Sequence, residues 1–311
     1  MPIAVEARKV SVSAGFKTIL SSISFRARPG QLTAILGPSG AGKSTLFRAL
    51  NGSQPPNSGQ VLYGGEELYA AYDTYRTRIG YVPQDDILHD ALTAREVLFY
   101  AGRLRMPEQT AEEEVERRVA EVLEQVELTD RAGVRVRRLS GGQRKRVNLG
   151  VELMTGPPVL FLDEPTSGLD PALEEKMMVL FRRLARDNRT VFLTTHVTES
   201  LDQVDRVLLL CSGKLVFAGA PAEAQRFFGV TAFVDIYGKL TAAGADHWAA
   251  EFARRGPVEE PPEPAPAPRQ AGPATAAKVT PAAGARPARS GQTADELLAQ
   301  LEREIEMEKR R

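Results

Sequence analysis

Nine consecutive residues of this 311-residue chain, GPSGAGKST at 37–45, fit the spacing G-x-x-x-x-G-K-[ST]. That spacing suits a phosphate chain. Gly37, Gly40 and Gly42, with the small Pro38, Ser39 and Ala41 between them, let successive backbone N–H groups converge on phosphate oxygens without Cβ clashes. Lys43 reaches the outer phosphates, the Ser44 hydroxyl is a Mg²⁺ ligand, and Thr45 continues into a helix whose positive end adds to the attraction. A Gly-rich loop arising by chance is the bland alternative; the apolar strand pattern before it and the helix pattern after it argue against that.

A second stretch, VLFLDEP at 159–165, places two acids at the end of a buried strand, where ligands of open α/β sheets gather. Asp163 fits a Mg²⁺ role through water, and Glu164 can polarise an attacking water as general base. Alone, such acids read equally well as surface residues. A third, LSGGQRKR at 139–146, opens a helix with Ser140 as N-cap and with Gly141 and Gly142 exposing N–H groups, a second anion site. Arg144, Lys145 and Arg146 then fall in the first turn, where the helix dipole disfavours cations. They read either as solvated surface charge or as support for a nearby polyphosphate.

Strand-like runs at 5–12, 19–26, 32–36, 159–162, 191–194 and 207–210 must position these groups, with helical patterns at 44–50, 173–186 and 222–228 between them. Buried strands alternating with helices predict a mostly parallel sheet covered on both faces. From about residue 87 to 138 the pattern has no strand and reads as a helical insertion. Thr93 with Glu96, and Thr110 with Glu113, fit capping boxes, and Val115, Val119, Val122, Leu123 and Val126 follow helical spacing.

Charge and composition narrow the classes. Lys plus Arg and Asp plus Glu both total 40, split 32 to 31 up to residue 255 and 8 to 9 beyond it, so there is no basic field to hold nucleic acid. One cysteine, Cys211, excludes an internal disulfide and a Cys-based zinc site. The longest apolar runs reach five residues, against the ~18 needed to cross a bilayer. With no signal-peptide pattern at the N-terminus, the expectation is a cytoplasmic chain without a membrane span. From 256 to 290, nine Pro and ten Ala among 35 residues predict a disordered linker. Residues 293–311 read as a short amphipathic helix, with Thr293 and Glu296 as a capping box and Leu297, Leu298, Leu301 and Ile305 on one stripe.

GPSGAGKST, YVPQDD at 81–86, LSGGQ, VLFLDEP, SGLD at 167–170 and TTH at 194–196 follow one another in an order and spacing that resemble the ATP-binding cassette of ABC transporters, over about residues 3–230. The stretch RKRVNLGVELMTGPPVLFLDEPTSGLDP is similar to the G, or white/pigment, exporter type, whose membrane half has the ABC-2 permease form. The resemblance implies an α/β fold with a P-loop NTPase (RecA-like) core, an antiparallel β subdomain and a helical insertion at about 87–150. It places the cassette at 1–235 with a C-terminal extension at 236–255.

Two cassettes would pair head to tail, each ATP lying between the phosphate loop of one and Ser140, Gly141, Gly142 and Gln143 of the other. Gln84 would sense Mg²⁺ and the attacking water. His196 would hold the γ-phosphate and water in line with Glu164, and Asp170 would organise the dimer seam. Taken alone, a loop Gln and a strand-end His are ordinary hydrogen-bonding residues. The implied activity is ATP hydrolysis driving export of an unknown substrate, on the cytoplasmic side of the membrane, through permease subunits on a separate polypeptide. A soluble ATPase acting on ribosomes or DNA, or a regulatory cassette with an adaptor tail, are the rivals. Many cassettes stack adenine on an aromatic near the first strand turn. Here that position is Ala14, with Phe16 two residues on, a stacking residue or a core one.

Overall fold

The computed structural model describes residues 2–196, 198 and 200–255; the expected linker at 256–290 and helix at 293–311 lie outside them. Alternating apolar residues drive β1 (Val5–Ala14) and β2 (Lys17–Ala27) together as an antiparallel pair, which buries Val5, Val10, Val12, Leu20 and Ile23. Next come β3 (Leu32–Leu36), α1 (Lys43–Leu50), β4 (Ser58–Tyr63) and the two-residue β5 (Glu66–Glu67). β4 and β5 complete an antiparallel sheet of order β2-β1-β4-β5.

Past α2 (Tyr72–Tyr75) and β6 (Ile79–Val82), the described residues form no named strand until β7 (Val159–Leu162). Between them lie α3 (Ala94–Arg105), α4 (Glu112–Gln125) and α5 (Gly141–Leu153). The chain continues through α6 (Pro171–Arg186), β8 (Thr190–Thr194), β9 (Arg206–Cys211), β10 (Lys214–Gly219), α7 (Pro221–Phe228) and α8 (Asp235–Arg255). The second sheet runs β10-β9-β3-β8-β7-β6, parallel throughout except for β10, which returns antiparallel on β9. Every residue of β3, β7, β8 and β9 is buried, as expected of predominantly apolar strands covered on both faces. The α/β class with an antiparallel sheet beside a P-loop core is therefore the fold the chain adopts.

The two capping expectations separate. Thr93 and Glu96 form the reciprocal capping box of α3, with the Glu96 amide donating to Thr93 Oγ1 and the Thr93 amide to Glu96 Oε2. Thr110 does not cap α4; Ala111 holds that place without a side-chain bond. The Thr110 amide is spent on the Pro107 carbonyl in a turn and its carbonyl accepts from Arg103, which keeps it outside the helix. Glu112, Glu113 and Glu114 in the first turn favour the dipole instead. At the C-terminal end of the described residues α8 kinks at Gly244, and its Trp248 and Phe252 pack on Phe217, Phe227 and Phe228. No helix among the described residues is long and apolar enough to cross a membrane.

Candidate functional site

β3 ends at Leu36, and the loop from Gly37 to α1 is shaped by close approach. A Cβ on Gly37 would lie 2.2 Å from the Leu210 carbonyl oxygen, and one on Gly42, at φ 99°, would lie 2.6 Å from Leu20 Cδ2. Glycine is required at both. Pro38, Ser39 and Gly40 form the exposed crest, whereas Ala41 and Thr45 turn inward and are buried. α1 starts with no side-chain cap and no acid in its first turn, so its free amides and positive end face outward beside the exposed Ser44. The Lys43 ammonium lies over the loop, donating to the carbonyls of Gly37 at 2.7 Å and Pro38 at 3.2 Å. Burial lowers its pKa, with the Glu164 charge opposing.

Two parallel neighbours fix the acids at the end of β7. The Asp163 amide donates to the Val82 carbonyl of β6. From β8, the Thr194 hydroxyl donates to Asp163 Oδ1 at 2.6 Å and accepts from the Glu164 amide at 2.9 Å. Tyr81 of β6 donates its hydroxyl to the other oxygen, Asp163 Oδ2, at 3.2 Å. Burial, then the Asp163 charge, push the Tyr81 pKa up to about 12, so the phenol stays a donor. Gln84 Nε2 donates to Glu164 Oε2 at 3.2 Å, and His196 Nδ1 stands 3.7 Å from the same oxygen. Gln84, Glu164 and His196 thus meet on one carboxylate, while Asp163 is held by two hydroxyls. Sequence reasoning missed Tyr81 and Thr194 as orienting groups; both lie inside the motifs that point to the site, but nothing in their spacing marks a hydroxyl aimed at a carboxylate.

The oxygen set fits ATP with Mg²⁺. No cluster of three or more His, Cys, Asp or Glu among the described residues could hold a metal by itself. One hydroxyl and one carboxylate, Ser44 and, through water, Asp163, would hold a Mg²⁺ there. The uncapped start of α1 and the Lys43 ammonium suit the phosphates.

Ser140 caps α5 in a reciprocal box: the Gln143 amide donates to Ser140 Oγ at 3.3 Å and the Ser140 amide to Gln143 Oε1 at 3.0 Å. Gln143 is therefore spent on its own helix terminus, and Gly141 with Ser140 forms the exposed surface while Gly142 is buried against Leu173. Asp170 caps α6, its Oδ1 accepting from the amides of Ala172 and Leu173 at 3.1 Å each. The three cations after LSGGQ do not behave as solvated charge. Arg144 bonds the Leu139 carbonyl, Arg146 bonds Val126 and Glu127, and Lys145 bonds the Gln84 carbonyl. Side-chain bonds to main-chain carbonyls outweigh the unfavourable dipole. Phe16 sits fully exposed at the β1–β2 turn, which overturns the core reading.

Residues 20–167 match the ABC transporter family. The chain is 46% identical over 249 residues to the ABC transporter ATP-binding/permease protein Rv1747 of Mycobacterium tuberculosis, covering 80% of this chain and 29% of that protein. It is 37% identical over 242 residues to the broad substrate specificity ATP-binding cassette transporter ABCG2 of Bos taurus, covering 72% of this chain and 36% of that protein. The chain thus spans about a third of the length of these curated relatives. Among solved structures, cbiO1 of Clostridium perfringens, described as part of the ABC transporter complex cbiONQ, superposes with a TM-score of 0.67 at 29% identity, covering 73% of this chain and 92% of that one. The chain belongs to the ABC transporter family, as an ATP-binding cassette of the G type.

Proposed function

We propose that this cassette hydrolyses ATP and, paired with a second cassette, energises export through a transmembrane permease on whose cytoplasmic side it sits. The observation that carries the reading is the meeting of Gln84 and His196 on one oxygen of Glu164, beside a phosphate loop whose lysine lies over it. Lys43 and the amides of residues 37–45 bind and orient the phosphates. Mg²⁺, held by Ser44 and Asp163 and sensed by Gln84, supplies neutralising charge on the phosphate oxygens when bound. Glu164 accepts a proton from the attacking water, and His196 and Gln84 orient that water and the terminal phosphate against it. The exposed Ser140 and Gly141, with Gly142 and Gln143 behind them, cover the nucleotide of the second cassette, and Asp170 keeps the seam in register through the start of α6. Phe16 is the exposed aromatic face available to adenine.

The test is Glu164→Gln in the full chain. ATP binding and ATP-dependent dimerisation, followed by calorimetry and light scattering, are expected to persist. Turnover should fall by about a hundredfold or more, the scale of a lost general base. Undiminished hydrolysis would remove Glu164 from the chemistry, and full turnover by protomers held too dilute to associate would remove the dimer.

A further inference from the structure

Three polar groups that the proposed chemistry does not use meet where the Gln84 loop crosses α5. The side chain of Lys145, only 14% exposed, turns inward and donates to the main-chain carbonyl of Gln84 at 2.8 Å. Its ammonium lies 4.0 Å from Asp86 Oδ1. That oxygen is buried and makes no hydrogen bond. Neither does Nδ2 of Asn148, three residues further along α5 on a side chain from a residue 6% exposed. Asp86, Lys145 and Asn148 line one small cavity, walled by Pro83, Leu149 and Pro165 and roomy enough for about one water molecule.

The groups are complementary to such a water. A carboxylate oxygen only accepts, an amide nitrogen only donates, and a water between them satisfies both. Burial raises the Asp86 pKa, with Lys145 and Arg144 pulling it back, as expected of a carboxylate short of partners. Two buried groups of opposite type, neither with a hydrogen bond and both on residues that line one water-sized cavity, are what a structural water resolves.

We propose that a single buried water bridges Asp86 and Asn148, and that Lys145 is a positioning residue for Gln84, locking its loop to the helix that begins at LSGGQ. The inference rests on the ATPase reading above. Lys145 holds the backbone of the same residue whose side-chain amide reaches Glu164, so any shift of α5 is felt at Glu164. Since α5 starts at Ser140, contact there with the nucleotide of the second cassette is transmitted to the Gln84 of this one.

Lys145→Met keeps the aliphatic stem and removes the charge. In the full chain, kcat for ATP should fall about tenfold, on the scale of coupling between residues in contact, with KM little changed. The double variant Gln84→Ala/Lys145→Met should be no slower than Gln84→Ala alone, because both act through one amide. Multiplicative losses, or an unchanged kcat, would overturn the positioning role. Should Lys145→Met fail to fold, Asp86→Asn, which preserves shape, is read in the same cycle. The junction is also judged without turnover, in a crystal structure of the full chain. Density for one water in hydrogen-bond reach of Asp86 Oδ1 and Asn148 Nδ2 supports it, and a dry cavity overturns it. A wild-type chain inactive toward ATP would sink the functional reading, and with it the role given to Lys145, while leaving the water to be decided by that density.

Discussion

Thr194→Val tests whether one hydroxyl holds the acid pair. Thr194 is 1% exposed at the end of β8, and its hydroxyl donates to Asp163 at 2.6 Å while accepting from the Glu164 amide at 2.9 Å. Valine has nearly the same shape and suits a buried strand, so the change removes bonds rather than volume. A hydrogen bond to a charged group contributes about 1.5–3 kcal/mol, and a buried donor left unpaired costs about 1–3 kcal/mol. Both bonds share one oxygen, and the added methyl returns roughly 0.8 kcal/mol. The expected net loss is about 2–4 kcal/mol of unfolding free energy, which lowers Tm by roughly 5–15 °C for a domain of this size. Turnover should fall at least about tenfold, equivalent to ~1.4 kcal/mol of barrier, as Asp163 and the Glu164 turn lose their common anchor. Scanning calorimetry and steady-state ATP hydrolysis would be run beside Thr194→Ser, which keeps the oxygen and loses one methyl. If the valine variant matched the serine variant in both, the hydroxyl would be idle and the account of the acid pair wrong.

Lys43→Met keeps the stem but loses the ammonium that lies on the Gly37 and Pro38 carbonyls. ATP affinity by titration calorimetry should fall roughly 10–150-fold, the worth of a charge-assisted bond; an unchanged Kd would separate Lys43 from the phosphates. Tyr81→Phe removes the hydroxyl held 3.2 Å from Asp163 Oδ2. Half-saturating Mg²⁺ in nucleotide binding should rise roughly tenfold, the low end of what partners behind a metal ligand are worth, and an unmoved Mg²⁺ titration would show that Tyr81 does not orient the aspartate.

What could be read in the sequence follows from how local each signal is. β3, β7, β8 and β9 announce themselves as predominantly apolar runs because both faces are covered. β4 and β6 do not: β4 buries only its second half, and β6 is four residues long and buries two of them. β10 hides as the return arm of a hairpin, its first two residues half-exposed. Lys43, Asp163 and Ser140 advertise the roles proposed for them through their immediate neighbours. Gln84 and His196 do not; only their place in a series of motifs points to them, and their meeting at Glu164 is a property of sheet order. Lys145 is the plainest case, since its partner carbonyl lies 61 residues away and no run of cations discloses it.

The turn at Glu164 also separates the fixed parts of the site from the adjustable ones. It holds φ at 43°, a left-handed conformation that costs a non-glycine residue about 1 kcal/mol or more. The turn persists because neighbours on both sides over-determine it. The Glu164 amide is held by Thr194 of β8, its carbonyl accepts from Ser167, and the Asp163 amide is tied to Val82 of β6. The direction of the acid is therefore set by the sheet before any ligand arrives. Gln84 lies on an exposed loop and His196 is 64% exposed beyond the end of β8. These two can exchange partners at little cost, whereas moving Glu164 would break bonds to two strands. On the proposed reading of Glu164 as the base, a fixed acid approached by adjustable partners would make the position of the Gln84 loop, rather than the acid, the step at which binding elsewhere on the cassette governs hydrolysis.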